Sequence, residues 1–146
     1  MSRTSGYSLL ELVVTLVIAG IVLAVAVPRF TGNETQTVWY YEQVKAAMRF
    51  AQRQAVAQRR GIYVCVSASS VSLGYNSTCS TALVKPGTVA AYTIAAPTGV
   101  TFTNPAPPFT FSFNGLGQPS AALTVTVSGF GNTHSITVTS ETGYVI

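Results

Sequence analysis

The sequence predicts an α+β fold, with one long N-terminal α-helix, its first half apolar and its second half amphipathic, packed on an antiparallel β-sheet head. Three observations carry this expectation. The chain of 146 residues opens with a dense apolar block. A segment with apolar residues at steps of three and four follows it. From Gly61 onward, short runs of β-branched and aromatic residues alternate with Gly, Pro and Asn clusters. A chain of this length can supply one membrane-length helix and a single head of about 100 residues, which leaves no room for a second catalytic domain.

The hydrophobic content of 48% and mean hydropathy of +0.40 look membrane-like, but the excess is concentrated between Leu9 and Val27. The remainder is rich in Ser, Thr, Gly and Ala, as in an ordinary soluble domain on an anchor. Charged residues make up only 8%, there is no Asp, and the formal net charge is +4. So sparsely charged a surface suits a protein that packs among copies of itself.

Met1 to Gly6 form a short polar leader with one Arg and no acid. A positive end before an apolar run stays cytoplasmic and directs the rest of the chain outside. Leu12 to Val27 are sixteen residues without a charge, and counting from Tyr7 gives a helix of roughly 30 Å, enough to cross a hydrocarbon core. A secretory signal with a cut near Ala24-Val25-Ala26 is the competing reading, and it leaves Glu11 unexplained. A charge at the centre of a membrane helix costs about 2.5 to 3.5 kcal/mol and less toward the interface, so Glu11 either snorkels or has a partner.

The order Gly6, Tyr7, Glu11, Leu12 to Val27 and Pro28 resembles the precursors of the type IV pilin superfamily. The resemblance implies cleavage by a prepilin peptidase after Gly6 and N-methylation of Tyr7, an aromatic residue where the family usually has Phe. It also implies that Glu11 is the assembly residue, pairing with the N-terminal amine of a neighbouring subunit, with Pro28 near the end of the filament-core helix. The expected organisation is therefore a leader over 1–6, a transmembrane and filament-core helix over 7–30, and a pilin-like head over 31–146. Before assembly the protein would be single-pass in the bacterial inner membrane with its head in the periplasm; after assembly it would lie in a periplasmic or cell-surface filament. Its expected partners are other pilin subunits, the prepilin peptidase with its N-methyltransferase activity, and the inner membrane.

Pro28 should kink or break the helix, with Gly32 and Asn33 loosening the next turn, so a bend is expected over residues 28–34. After Thr35, Val38, Tyr41, Val44, Met48, Ala51 and Ala55 define one apolar face that should pack on a sheet. Lys45, Arg49 and Arg53 recur every four residues, and Arg59 and Arg60 close the helix before Gly61 stops it. They read as a solvated face or subunit contact complementing the C-terminal dipole, ahead of a site for nucleic acid or another anion.

Strands are expected over residues 61–67, 89–94, 99–103, 109–114, 122–128, 134–139 and 142–146. Asn114 to Gly117 and the Pro-rich stretch Asn104 to Pro108 are turn and loop. Phe111 to Gly117 and Ile136 to Val145 give a second, weaker resemblance, to minor pilins and pseudopilins of the type II secretion H-like group and to a mannose-sensitive haemagglutinin pilus subunit. DNA-uptake members of that group carry arginines in the last turn, where this chain has Tyr144 and Val145.

Cys65 and Cys79 lie in the part expected outside the cell, where one disulfide is the best reading. A zinc site would need more ligands than these and a distant His134 provide. With one His and Glu141 the sole acid beyond residue 42, no hydrolytic triad or carboxylate pair can be assembled. His134 reads as a surface or edge residue, and neither an enzyme activity, a metal nor a cofactor is expected. The sequence thus points to a minor pilin or pseudopilin structural subunit of a type IV pilus or type II secretion filament. A DNA-binding minor pilin and a major or adhesive pilin are the alternatives.

Overall fold

The computed structural model describes residues 8–30 and 34–146, apart from the side chains of residues 25–30. Gly6 and Tyr7 therefore lie outside the described residues. Helix α1 spans Leu9–Phe30 and α2 spans Glu34–Gln58. The expected break at Pro28 is not where α1 ends. A proline removes one amide donor from the hydrogen-bond ladder, and α1 runs through Pro28 to Phe30. The rest of the expected bend falls on residues 31–33, outside the described ones.

Seven strands follow in order: β1 Ile62–Val66, β2 Ser70–Gly74, β3 Thr93–Ala95, β4 Val100–Asn104, β5 Phe109–Phe113, β6 Leu123–Gly129 and β7 Asn132–Val138. They form two antiparallel sheets, β3-β2-β1-β5 and β4-β6-β7. Pro105, Pro107 and Pro108 explain the division. Proline has no N–H to donate to a ladder, so β4 and β5, though consecutive, do not form a hairpin; β4 pairs with β6 and β5 with β1.

Three strand expectations need correction. β2 was absent from the predicted set because Ser70-Val71-Ser72-Leu73 is rich in turn-forming Ser, yet its alternation buries Val71 and Leu73. The strand expected at 89–94 is displaced to 93–95, and its first residues contribute only an isolated Val84↔Ala91 bridge beside the Pro86-Gly87 turn. The last strand, expected at 142–146, is a turn with one bridge, Val138↔Val145. Its hydrogen bonds, Thr139 N to Tyr144 O at 3.1 Å and Ile146 N to Thr137 O at 2.9 Å, still fold the segment back on β7.

α2 covers both sheets, and its buried line is Thr37, Tyr40, Val44, Ala47, Met48, Ala51 and Ala55. The expected stripe is thus rotated at its start: Val38 is 43% exposed and Tyr41 half-buried. Gly129 decides this. The Thr37 hydroxyl donates to the Gly129 carbonyl at 3.1 Å, and a Cβ on Gly129 would stand 2.8 Å from that hydroxyl oxygen. A bare backbone lets the first turn of α2 approach, so Tyr40 goes inward against Phe102, ring centroids 5.8 Å apart. At the other end α2 stops at Gln58, not at Gly61. Arg59 adopts φ 51°, and Arg60 N donates to Ala55 O at 3.2 Å, a six-to-one bond that caps the last turn.

Beneath α2, Ile62, Val64, Leu73, Phe113, Val125, Val127, Ile136 and Val138 fill one core. Cys65 and Cys79 are joined in a disulfide with Cα atoms 6.2 Å apart, tying β1 to the loop after β2.

Candidate functional site

α1 and the head solve the burial of apolar side chains in opposite ways. In α1 every residue from Leu9 to Ala24 is exposed, including Leu9 at 80% and Leu16 at 64%. A helix apolar on all sides is stable only when something other than water surrounds it. Glu11 lies in its first turn, where a carboxylate complements the positive end of the helix dipole. Among the described residues no helix is long and apolar enough to cross a membrane. The uncharged sequence, however, continues past Ala24 to Val27, through residues 25–27, whose side chains are not described.

The basic residues of α2 and its end have different neighbours. The Lys45 ammonium donates to the Tyr41 hydroxyl at 3.2 Å. Arg49 places two guanidinium donors on the Val145 carbonyl, at 3.2 and 3.0 Å. Arg60 lies over the Tyr75 ring, 3.9 Å from its centroid, a cation–π contact. Arg53 and Arg59 are exposed. Lys45 and Arg49 thus serve the head's own packing as well as its surface charge.

Gln52 plays a similar part, which the sequence pattern did not signal. Its amide donates to Gly117 O at 3.2 Å and Thr142 O at 2.9 Å, which draws the 114–118 turn and the C-terminal turn to α2. Gly143, at φ +66°, makes this possible, since a Cβ there would collide with the Gly117 carbonyl. Trp39 is a second residue that sequence reasoning missed. It is 57% exposed, and the signal was available because it is the chain's one Trp and stands off the apolar stripe.

His134 lies in β7, half-buried, beside Tyr41 with ring centroids 5.2 Å apart. Its Nε2 and the Tyr40 hydroxyl are buried without a hydrogen-bond partner. Burial pushes the Tyr40 phenol up to about 12, and it raises Tyr92 in the same direction. Among the described residues no group of three or more His, Cys, Asp or Glu side chains comes together that could hold a metal.

A helix laid across antiparallel sheets, with an apolar helix ahead of it, defines a pilin-like class of protein. Comparison with known proteins agrees. The model of the type II transport protein GspH family matches residues 41–143, and the prokaryotic N-terminal methylation motif matches residues 1–27. The chain belongs to that GspH family, within the type IV pilin and pseudopilin superfamily. It is 39% identical over 64 residues to the type IV narrow pilus major component PilA5 of Thermus thermophilus. That match covers 43% of this chain and 55% of the relative, so the chain spans about half the length of the curated relative it matches. The fold resembles two crystal structures of the type IV minor pilin FimU of Pseudomonas aeruginosa. One has a TM-score of 0.58 at 17% identity, covering 77% of this chain and 88% of that one. The other has a TM-score of 0.54 at 19% identity, covering 73% and 88%.

Proposed function

We propose that this pilin-family chain is a minor subunit of a type IV filament system, cut by prepilin peptidase after Gly6 and N-methylated on Tyr7. α1 first holds it in the inner membrane with its head in the periplasm, then carries it into the filament. The observation that carries this reading is the exposure of α1's apolar side chains on every side, in a chain whose first 27 residues match the methylation motif. Leu12 to Val27 carry no charge, and the apolar sequence counted from Tyr7 to Val27 would give a helix of roughly 30 Å, the thickness of a hydrocarbon core. Lipid before assembly and neighbouring helices after it solvate the same apolar surface, so transfer between them exposes little of it to water. In the filament, the Glu11 carboxylate pairs with the N-terminal amine of a neighbour, which offsets the cost of taking either charge out of water.

The test is the intact mass and N-terminal sequence of protein recovered from membranes of a host with a matching prepilin peptidase. A chain beginning at methylated Tyr7 is expected. A start at Met1 or near Val27 would overturn the reading. A second reading, a major subunit, is favoured by the relative named as a major pilus component; its abundance in sheared filaments decides between the two. The nucleic-acid reading has less support, because Lys45, Arg49 and Arg60 are each engaged by the head's own atoms.

A further inference from the structure

Among the described residues, the fold covers or blunts the sheet edges at β5, β7 and β4. Alongside β5, Ser120 N donates to Ser112 O at 2.8 Å, with a Phe113↔Pro119 bridge beside it. Residues 144–146 bond back on the end of β7 through Thr137 and Thr139. β4 carries a register shift between Phe102 and Asn104, with Pro105 directly after it; bulges and prolines blunt an edge against further pairing. β3 differs. It is the outer strand of its sheet and pairs only with β2.

The hydrogen bonds flanking β3 identify its free groups. Leu73 N donates to Tyr92 O at 3.0 Å and Ala96 N to Ser69 O at 2.8 Å, so Ile94, midway between them, turns its amide and carbonyl toward Val71. By the alternation of an antiparallel ladder, Thr93 and Ala95 turn theirs away from β2, and both residues are exposed. An open groove of about 600 Å³ borders these two residues, and Trp39, Gln43 and Ala46 of α2 line its other side. That flank of α2 carries no charge, since Trp39, Gln43, Ala46 and Phe50 succeed one another at steps of three and four. Lys85 is the one charged residue in the lining.

Outward amides and carbonyls on an edge strand are matched by another extended backbone, the mode in which a peptide adds a strand to a sheet. From the open edge and its uncharged second wall we infer that the groove between α2 and β3 binds an extended segment of a different polypeptide, its backbone laid along Thr93–Ala95. Alternate side chains of that segment are apolar and pack toward Trp39 and Ala46, because α2 offers no countercharge there, and one carboxylate reaches Lys85. Two copies of this chain could instead join their β3 edges, but identical edges pair as a closed two-fold dimer. A minor subunit meets few copies of itself, so the choice of a different polypeptide rests on the minor-subunit reading above.

The experiment is selection from a displayed library of random octapeptides on the full chain in detergent micelles. The expected survivors have apolar residues at every second position and an Asp or Glu toward one end. Ala95→Pro removes one outward amide without taking a bond from the β2–β3 ladder, and Ala46→Glu, at an exposed position, sets a carboxylate in the groove wall. Each should weaken a synthetic survivor by about five-fold or more in fluorescence anisotropy, the loss of about one backbone hydrogen bond. N-methylation of alternate residues of the peptide should do the same with the protein unaltered, which keeps the test sound if a variant folds poorly. Selection on Lys85→Glu should exchange the favoured acid for a base. An absence of enrichment, or survivors that bind Ala95→Pro and the N-methylated form as tightly, overturns the site. A chain that dimerises in micelles and loses the dimer on Ala95→Pro puts a second copy on this edge and overturns the choice of partner. Binding by a chain that never enters filaments removes the filament role and leaves the site standing.

Discussion

α1 and α2 are both long helices in one chain, yet the described apolar side chains of α1 stay exposed while α2 buries a continuous line from Thr37 to Ala55. What differs is the partner each finds within the chain. α2 has β-sheets beneath it, so its apolar positions contribute to folding of the head. α1 has none among the described residues, so its apolar positions contribute only when lipid or another subunit supplies the surroundings. Similar substitutions in the two helices should therefore give different phenotypes, one in assembly and one in stability.

The largest effect expected on the assembly side is at Glu11. Glu11→Ala should leave membrane insertion and cleavage intact but lower incorporation into filaments by about ten-fold or more, since a buried amine left unpaired is costly. Normal incorporation of that variant would remove the proposed role. On the folding side, Phe113 is fully buried, and Phe113→Ala should cost the head about 3–5 kcal/mol. Leu16→Ala should leave the head's melting temperature unchanged and act only on assembly. A lowered melt for Leu16→Ala would break the contrast between the helices.

Smaller effects sharpen the account of the head. Reducing the Cys65–Cys79 bridge opens a loop with a sequence separation of 14, worth about 3 kcal/mol in the chain-entropy model, and an appreciable drop in melting temperature should follow. Gly129→Ala should cost about 1–3 kcal/mol, because the new methyl meets Thr37 Oγ1 at 2.8 Å and Gly99 O at 2.9 Å; thermal melting measures it, and an unchanged melt would mean that α2 does not need this close approach.

The smallest expected effect is confined to alkaline pH. Tyr40 holds its proton to about 12 in the folded head but to about 10 when unfolded. Its contribution is therefore fully present below pH 10 and declines as pH rises toward 12, by an amount on the order of 2 kcal/mol. Tyr40→Phe should flatten that decline in a pH series of denaturant melts, and an equal decline in both proteins would assign it elsewhere. At neutral pH the same variant should be neutral or slightly stabilising, because the hydroxyl it removes is buried without a partner.

Much of this architecture is legible in the residues because it rests on short-range patterns. The apolar block, the core line Val44-Met48-Ala51-Ala55 and the alternation of Val125-Val127 and Ile136-Val138 each follow from helix or strand periodicity alone. The pairing of Cys65 with Cys79 follows from there being two cysteines in a segment expected to be exported. The order Gly6, Tyr7, Glu11 and an apolar run marks the family on its own, because the N-terminal methylation motif is contiguous in the chain.

Tertiary structure decided what depends on contacts between distant segments. Tyr40 rather than Tyr41 enters the core because Gly129, 92 residues beyond Thr37, leaves room for the helix. The helix ends at Gln58 because Arg59 takes a left-handed conformation, a role that residue type alone assigns to Gly61. β2 is a strand because β1 and β3 flank it, in spite of its serines. Local periodicity sets which residues can share a face; the pairing of remote strands sets what that face meets.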